Sequence, residues 1–265
     1  MSTFTNVFSQ TFWPRAQAQS QPRQAPRPRS PPPPRLSRHS TPGVENSAWA
    51  SRDFMLGAGM IIIQRNTHKV VVIYDSLHKY WFFPRGRKDV GESLEQTALR
   101  EAYEESGYRA EFLPLYNPTR QPLAPHEREE NNILNVEPIF MTLTSWQPRT
   151  RRNRGVRDDG GEYLTTWYVG EIPEDAVPEI GTGMPDEQSY RSYLFPFDEA
   201  LQKVYGTELR VLRYAWDVYL DTARLYEEAQ RLEDQPEHSG PNFCLEWSPR
   251  INCFPNSYRC YVRGV

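Results

Sequence analysis

Glu92 stands just before, and Arg100, Glu101, Glu104 and Glu105 stand within, a stretch expected to be helical. Successive helical residues are about 100° apart, so Glu101, Glu104 and Glu105 fall within an arc of roughly 100° and share one face. Carboxylates at i,i+3 and i,i+4 repel one another, and the repulsion costs stability unless a cation neutralises it. A hard divalent cation suits the set, because Mg²⁺ prefers carboxylate and phosphate oxygens. Taken singly, each glutamate reads as helix surface with Arg100 as a salt-bridge partner; taken together they point to a metal centre. Leu94 and Ala98 lie on nearly the same stripe as Glu101 and Glu105, with Leu99 and Ala102 completing the apolar side. The carboxylates are therefore expected at the edge of packed structure and not on a fully solvated face.

The helix that must carry them is expected over Leu94–Ser106. Ser93 and Gln96 have capping-box spacing at its start, and Gly107 is a C-terminal stop. Before it, residues 57–63, 69–74 and 80–84 are β-branched or aromatic runs separated by polar breaks, which read as strands. Further strand-like runs follow at 109–116, 136–146 and 162–169. Residues 207–233 place Leu209, Leu212, Trp216, Tyr219, Ala223, Tyr226 and Leu232 at helical spacing, an amphipathic helix suited to packing on the body. Strands interrupted by helices suggest a mixed sheet covered on both faces.

The chain has 265 residues, a hydrophobic fraction of 38%, a charged fraction of 25% and a net charge of −3. That length and composition suit one ordinary domain with appendages. Its 24 prolines are unevenly placed. Residues 1–50 have no acidic residue before Glu45, carry six arginines and include the run Pro31, Pro32, Pro33, Pro34. Such a segment buries too little apolar surface to offset its ordering entropy, so a disordered tail is expected, and its polyproline run could serve as a ligand for a partner domain. The expected organisation is a tail over 1–50, a catalytic domain over 51–205, a packed amphipathic helix over 206–235 and an irregular extension over 236–265. No uncharged apolar run approaches the roughly 18 residues of a membrane span, so no membrane partner is expected. Cys244, Cys253 and Cys260 lack paired zinc spacing and read as free thiols in a reducing compartment. A transit peptide is opposed by the late first basic residue, Arg15, and by the prolines, and secretion by the lack of an apolar leader. A cytoplasmic or nuclear location is expected.

The stretch from Gly86 to Tyr108 resembles the Nudix box position by position: Gly86, five residues, Glu92, seven residues, Arg100, Glu101 and Ala102, one residue, Glu104 and Glu105, one residue, Gly107 and Tyr108. Ala102 and Tyr108 depart mildly from the larger aliphatic residues the family usually has there, a matter of packing and not of metal binding. The resemblance implies an α/β fold, the family's αβα sandwich around a mixed β-sheet, here with the Pro-rich tail and a C-terminal helical extension. It implies Mg²⁺ as the cofactor, with Mn²⁺ as the alternative, and Glu101 and Glu105 as the principal ligands. Glu104 matches a further ligand or the water-activating base, Glu92 an accessory acid, and Arg100 the arginine that orients the catalytic glutamate. Gly86 belongs to the same metal set.

Pro84, Arg85 and Gly86 ahead of the box resemble the branch acting on diphosphoinositol polyphosphates and dinucleoside polyphosphates, in which the turn is richer in glycine and a glycine stands where Arg85 does. The expected reaction is hydrolysis of a diphosphate bond in a phosphate-rich small molecule. Lys79, Arg85, Arg87 and Lys88 beside the box, and Arg152 and Arg154 within the arginine-rich run 149–157, are candidate phosphate ligands. A solvated hairpin tip explains the second group equally well. Trp146, Trp167 and Tyr168 read as core before they read as base-stacking groups, and Glu162 and Glu187 as surface glutamates before they read as bases outside the box. Two alternatives are an RNA pyrophosphohydrolase of the decapping type, using the basic segments on the phosphate backbone, and a noncatalytic sensor of phosphate ligands.

Overall fold

The computed structural model of the chain describes residues 36–41, 46–122, 134–150 and 157–234. Most of the Pro-rich tail, Arg152 and Arg154, the three cysteines and the 236–265 extension lie outside the described residues. The chain divides into two units, residues 1–45 and 46–265. In the first, residues 36–41 make a turn closed by the Ser40 N–H on the Ser37 carbonyl.

The second unit is built on strands β1 (Phe54–Gln64), β2 (Lys69–Asp75), β3 (Tyr80–Phe82) and β4 (Arg85–Arg87), followed by helix α1 (Leu94–Ser106). Then come β5 (Glu111–Phe112), β6 (Phe140–Trp146), β7 (Arg149–Thr150), β8 (Arg157–Asp158), β9 (Gly161–Ile172), β10 (Tyr190–Pro196), α2 (Phe197–Lys203) and α3 (Gly206–Asp234). One eight-stranded sheet carries the order β10-β2-β1-β9-β5, with β3 on β2, β4 on β1 and β6 on β9. The sheet is mixed: β1 and β9 run parallel over their whole shared length, and the other pairs are antiparallel. A separate β7–β8 ribbon places the ends of the arginine-rich run.

The strand β1 is apolar on both sides because both of its faces are covered. On one face Ala58, Met60 and Ile62 pack with Val71 and Tyr168 against Ala98 and Ala102 of α1. On the other, Ile61, Ile63, Val70, Val72, Trp167 and Val169 pack against Val211, Leu212, Ala215, Trp216, Val218 and Tyr219 of α3. Helices therefore lie on opposite faces of the sheet, as the αβα reading expects. Burial of each such aliphatic side chain stabilises by ~1.5–3 kcal/mol. Trp167 and Tyr168 are core residues.

Local departures from the sequence reading have local causes. The run 109–116 is a strand only at Glu111–Phe112, with one further bridge from Leu115 to Asn135; Pro114 has no N–H to continue a ladder. The short, charged β4 has no apolar signal and exists because Gly57, Ala58 and Gly59 of β1 pair with Arg87, Gly86 and Arg85. No apolar alternation announces β10 either, where tyrosines, a serine and an arginine interrupt the run. Among the described residues, no helix is long and apolar enough to cross a membrane.

Candidate active site

Helix α1 begins where its capping chemistry requires. The Ser93 side chain accepts the Gln96 N–H at 3.2 Å, and the Gln96 side chain accepts the Ser93 N–H at 2.8 Å. It ends at Gly107, whose φ of 76° is open to glycine and strained for other residues. Between these ends Thr97, Ala98, Glu101, Ala102 and Glu105 face the body. Ala98 and Ala102 anchor the helix on β1, and the same stripe carries Glu101 and Glu105 to the sheet's margin, where they are 6% and 9% exposed. The carboxylates lie, as the spacing predicts, at the edge of packed structure.

The turn and strand before the helix close over them. Strand alternation points position 86 toward α1, and a Cβ there would fall 2.1 Å from Cδ of Glu101 and 2.2 Å from both of its oxygens. The missing side chain of Gly86 thus leaves the space that the Glu101 carboxylate fills. The Arg85 backbone N–H donates to Oε2 of Glu105 at 2.7 Å. A single guanidinium ties the remaining acids: Arg100 Nε donates to Glu92 at 2.8 Å and its Nη2 to Glu92 at 3.0 Å, while Nη1 reaches Glu101 at 2.7 Å and Glu104 at 3.0 Å. Nη2 also donates to the Arg87 carbonyl at 2.9 Å. Glu92 accepts, in addition, from the Asp89 N–H and the Thr97 hydroxyl. Its part is to hold Arg100, and the Arg100 bonds, followed by these, hold its carboxyl down at about 2.

Burial pushes Glu101 up despite the Arg100 guanidinium, with Glu104 and Glu187 adding to the rise. Glu105 is raised further, by burial first, and then by Glu101 and Glu187 against the opposing Arg85 N–H and charge. No three His, Cys, Asp or Glu side chains among the described residues are already drawn together around a common point; Arg100 stands between Glu101 and Glu104. The donor set nonetheless fits a hard divalent cation. It offers carboxylate oxygens alone, and Glu105 is a buried acid whose charged form a nearby cation would stabilise.

The segment joining β9 and β10 supplies a further acid. Its Glu179 N–H donates to the Gly107 carbonyl at 2.9 Å, and the Thr182 hydroxyl donates to the Glu104 carbonyl at 2.9 Å. Tyr103 and Arg109 clasp the Glu179 side chain from the helix side. Docked in this way, the segment brings the charge of Glu187 to bear on Glu101 and Glu105. The sequence reading favours surface for Glu187, and no spacing rule links it to the box. Glu162 instead accepts the Ser145 hydroxyl on the β6–β9 pair.

Among the basic candidates, Arg85 requires correction. Alternation within β4 turns its side chain to the face opposite Gly86, where its guanidinium pairs with Glu208 of α3 and donates to the Phe83 carbonyl at 3.3 Å. The same alternation sends Arg87 to that face, where it is exposed. Lys88 is half-buried, with Nζ on the Asp89 carbonyl at 3.0 Å. Lys79 is exposed in the β2–β3 turn with φ of 59°.

A family model described as NUDIX domain matches residues 53–214. Over 72 residues the chain is 35% identical to the nucleoside diphosphate-linked moiety X motif 6 protein of Mus musculus, a match covering 26% of this chain and 23% of that one. Over 70 residues it is 39% identical to the RNA pyrophosphohydrolase of Shewanella loihica, covering 26% of this chain and 40% of that one. It spans well under half the length of these curated relatives. A solved C. elegans Ap4A hydrolase binary complex aligns at 16% identity with a TM-score of 0.37, over 63% of this chain and 98% of that one.

Proposed function

This chain belongs to the Nudix family, and from that premise we propose that it is a metal-dependent pyrophosphohydrolase acting on a diphosphate bond in a phosphate-rich small molecule. One observation carries the reading: a backbone shaped by Gly86 and the Arg85 N–H receives the buried carboxylates of Glu101 and Glu105, while Arg100 spans Glu92, Glu101 and Glu104. Keeping repelling acids in a partly dry site has a purpose if a cation is to be held there. A protein that only sensed phosphate ligands would have no need of them.

Glu101, Glu105 and Glu104 would hold Mg²⁺ or Mn²⁺, with Gly86 in the same set. A bound divalent ion supplies charge neutralisation at the diphosphate and a lowered pKa for water. The chain's own residues do the rest. Arg100 fixes the direction of the Glu101 and Glu104 carboxylates through charge-assisted bonds, and Glu92 fixes Arg100. Glu104 takes the proton from the attacking water, with Glu187, whose charge bears on Glu101 and Glu105, as the other candidate base. Lys79 and Lys88 are the cations left beside the box to meet outlying phosphates, with Arg152 and Arg154 from the arginine-rich run; Arg85 is spent on Glu208, and Arg87 shares its face.

A second reading, a pyrophosphohydrolase of RNA, is favoured by the name of the Shewanella relatives. Parallel assays on diphosphoinositol polyphosphate, diadenosine polyphosphate and capped or 5′-triphosphorylated RNA separate the two. Faster turnover of a small polyphosphate supports the first reading, and preference for RNA overturns it in favour of the second. Comparing kcat of Glu104→Gln and Glu187→Gln at saturating Mg²⁺ identifies the base: its loss costs the far larger fall, of ~10²-fold or more.

A further inference from the structure

We propose that Glu208, in the first turn of α3, is a positioning residue for the carboxylate centre on the opposite face of the sheet, acting through Arg85 and the backbone of residues 83–86. The inference rests on the metal-dependent reading above and adds a residue from outside the box to it.

Four hydrogen bonds and one close approach make the connection. Oε2 of Glu208 accepts the Phe83 N–H at 3.1 Å, and Oε1 accepts the Arg85 guanidinium. That guanidinium also donates back to the Phe83 carbonyl at 3.3 Å, closing a ring of side chain and backbone. From the same residue, the Arg85 N–H holds Glu105 at 2.7 Å. One residue on, Gly86 lies against the Glu101 carboxylate. A single short segment therefore touches both buried acids with its backbone, and its side-chain anchor lies on α3.

The arrangement is not what simple packing would choose. Glu208 is largely buried, its side chain 16% exposed, and burial raises its proton affinity against the pull of Arg85 and the Phe83 N–H. A buried ion pair is weak evidence for stability, since its desolvation offsets much of its attraction. It is well suited to fixing direction, because a planar guanidinium and a carboxylate meet in few geometries. The β4–β1 ladder and the Met60 N–H on the Pro84 carbonyl set the height of the segment on the sheet. The Glu208 bonds set the peptide planes at residues 83 and 85, and so the direction of the N–H that meets Glu105.

The test uses the full chain with Glu208→Gln, Arg85→Met and the double variant. Mn²⁺ affinity is read by the loss of the free-ion EPR signal, with turnover, substrate KM and thermal melting measured alongside. Glu208→Asp serves as a milder variant should the others fail to fold; it keeps the charge but withdraws it by one methylene. Expected for each single variant is a weakening of Mn²⁺ binding and a fall in kcat of ~10-fold or more, the size associated with partners that orient metal ligands. The double variant should be no worse than either single one, and substrate KM should change little. Unchanged Mn²⁺ binding and kcat in folded Glu208→Gln or Glu208→Asp would overturn the proposal. So would a rise in substrate KM in Arg85→Met with Mn²⁺ affinity intact, which would make Arg85 a substrate ligand. A wild-type chain that binds no Mn²⁺ refutes the metal-dependent reading itself, a result distinct from failure of the variants to differ.

Discussion

Replacing Gly86 by alanine places one methyl group where the Glu101 carboxylate lies. The added Cβ would stand 2.2 Å from both Glu101 oxygens. Ordinary contact is ~3.5 Å, so the carboxylate must retreat by roughly 1.3 Å. The backbone at 86 is not in the left-handed region, and the group in the way is the end of a flexible side chain, so the fold should lose at most ~1 kcal/mol. Chemistry is far less forgiving of such a shift. A displacement near 1 Å costs on the order of 10²-fold in rate, and here it also strains the 2.7 Å bond from Arg100 to Glu101. Initial rates of phosphate release at saturating Mg²⁺, with a thermal melt of the same sample, provide the assay. A folded Gly86→Ala protein with wild-type kcat would refute the reasoning, because it would mean that the location of the Glu101 carboxylate does not matter.

Three further outcomes follow from the same geometry. Gly107→Ala puts a Cβ 2.2 Å from the Glu179 backbone carbonyl at a φ of 76°, so it should cost ~1–3 kcal/mol in urea denaturation and loosen the β9–β10 segment that carries Glu187. Leu212→Ala removes a fully buried side chain between α3 and the sheet and should cost ~2–5 kcal/mol by the same measurement. The raised carboxyls of Glu101 and Glu105 set a pH dependence. Their folded forms keep protons that the unfolded chain has released, so without metal their contribution falls as pH rises above the ordinary glutamate value and levels off beyond the folded one. A divalent cation competes with those protons, so the rise in melting temperature caused by Mn²⁺ should be larger at about pH 8 than at about pH 5.5. A shift independent of pH would place the ion elsewhere.

What the sequence disclosed depended on how local each cause was. Helix α1 could be bounded to the residue because Ser93, Gln96 and Gly107 act within a turn of its ends. The shared face of Glu101 and Glu105 followed from helical spacing, and their place beside packed structure from Leu94 and Ala98 on nearly the same stripe, although both are buried more fully than an edge position implies. The direction of Arg85 was not legible. A three-residue strand with no apolar pattern takes its facing from its partner, and only pairing with Gly59 sends the side chain toward α3 while its N–H meets Glu105. Glu187 was equally hidden, since its approach depends on Glu179 and Thr182 docking a distant segment on the end of α1. Glu208 carries no signal beyond that of an acid in the first turn of a helix, a favourable place for one in any protein. Its partner, Arg85, stands far off in sequence and meets it only once α3 packs on that face of the sheet.

Phosphorus NMR of a diphosphate-bearing substrate, followed during incubation with the full chain, tests the central claim most directly. Mg²⁺ should bring loss of the anhydride resonances and growth of monoester or phosphate signals, chelator should halt the change, and Glu105→Gln should abolish it in a protein that still folds. Anhydride signals that persist in Mg²⁺ across small polyphosphates and RNA, or cleavage that proceeds equally in chelator or with Glu105→Gln, would contradict it.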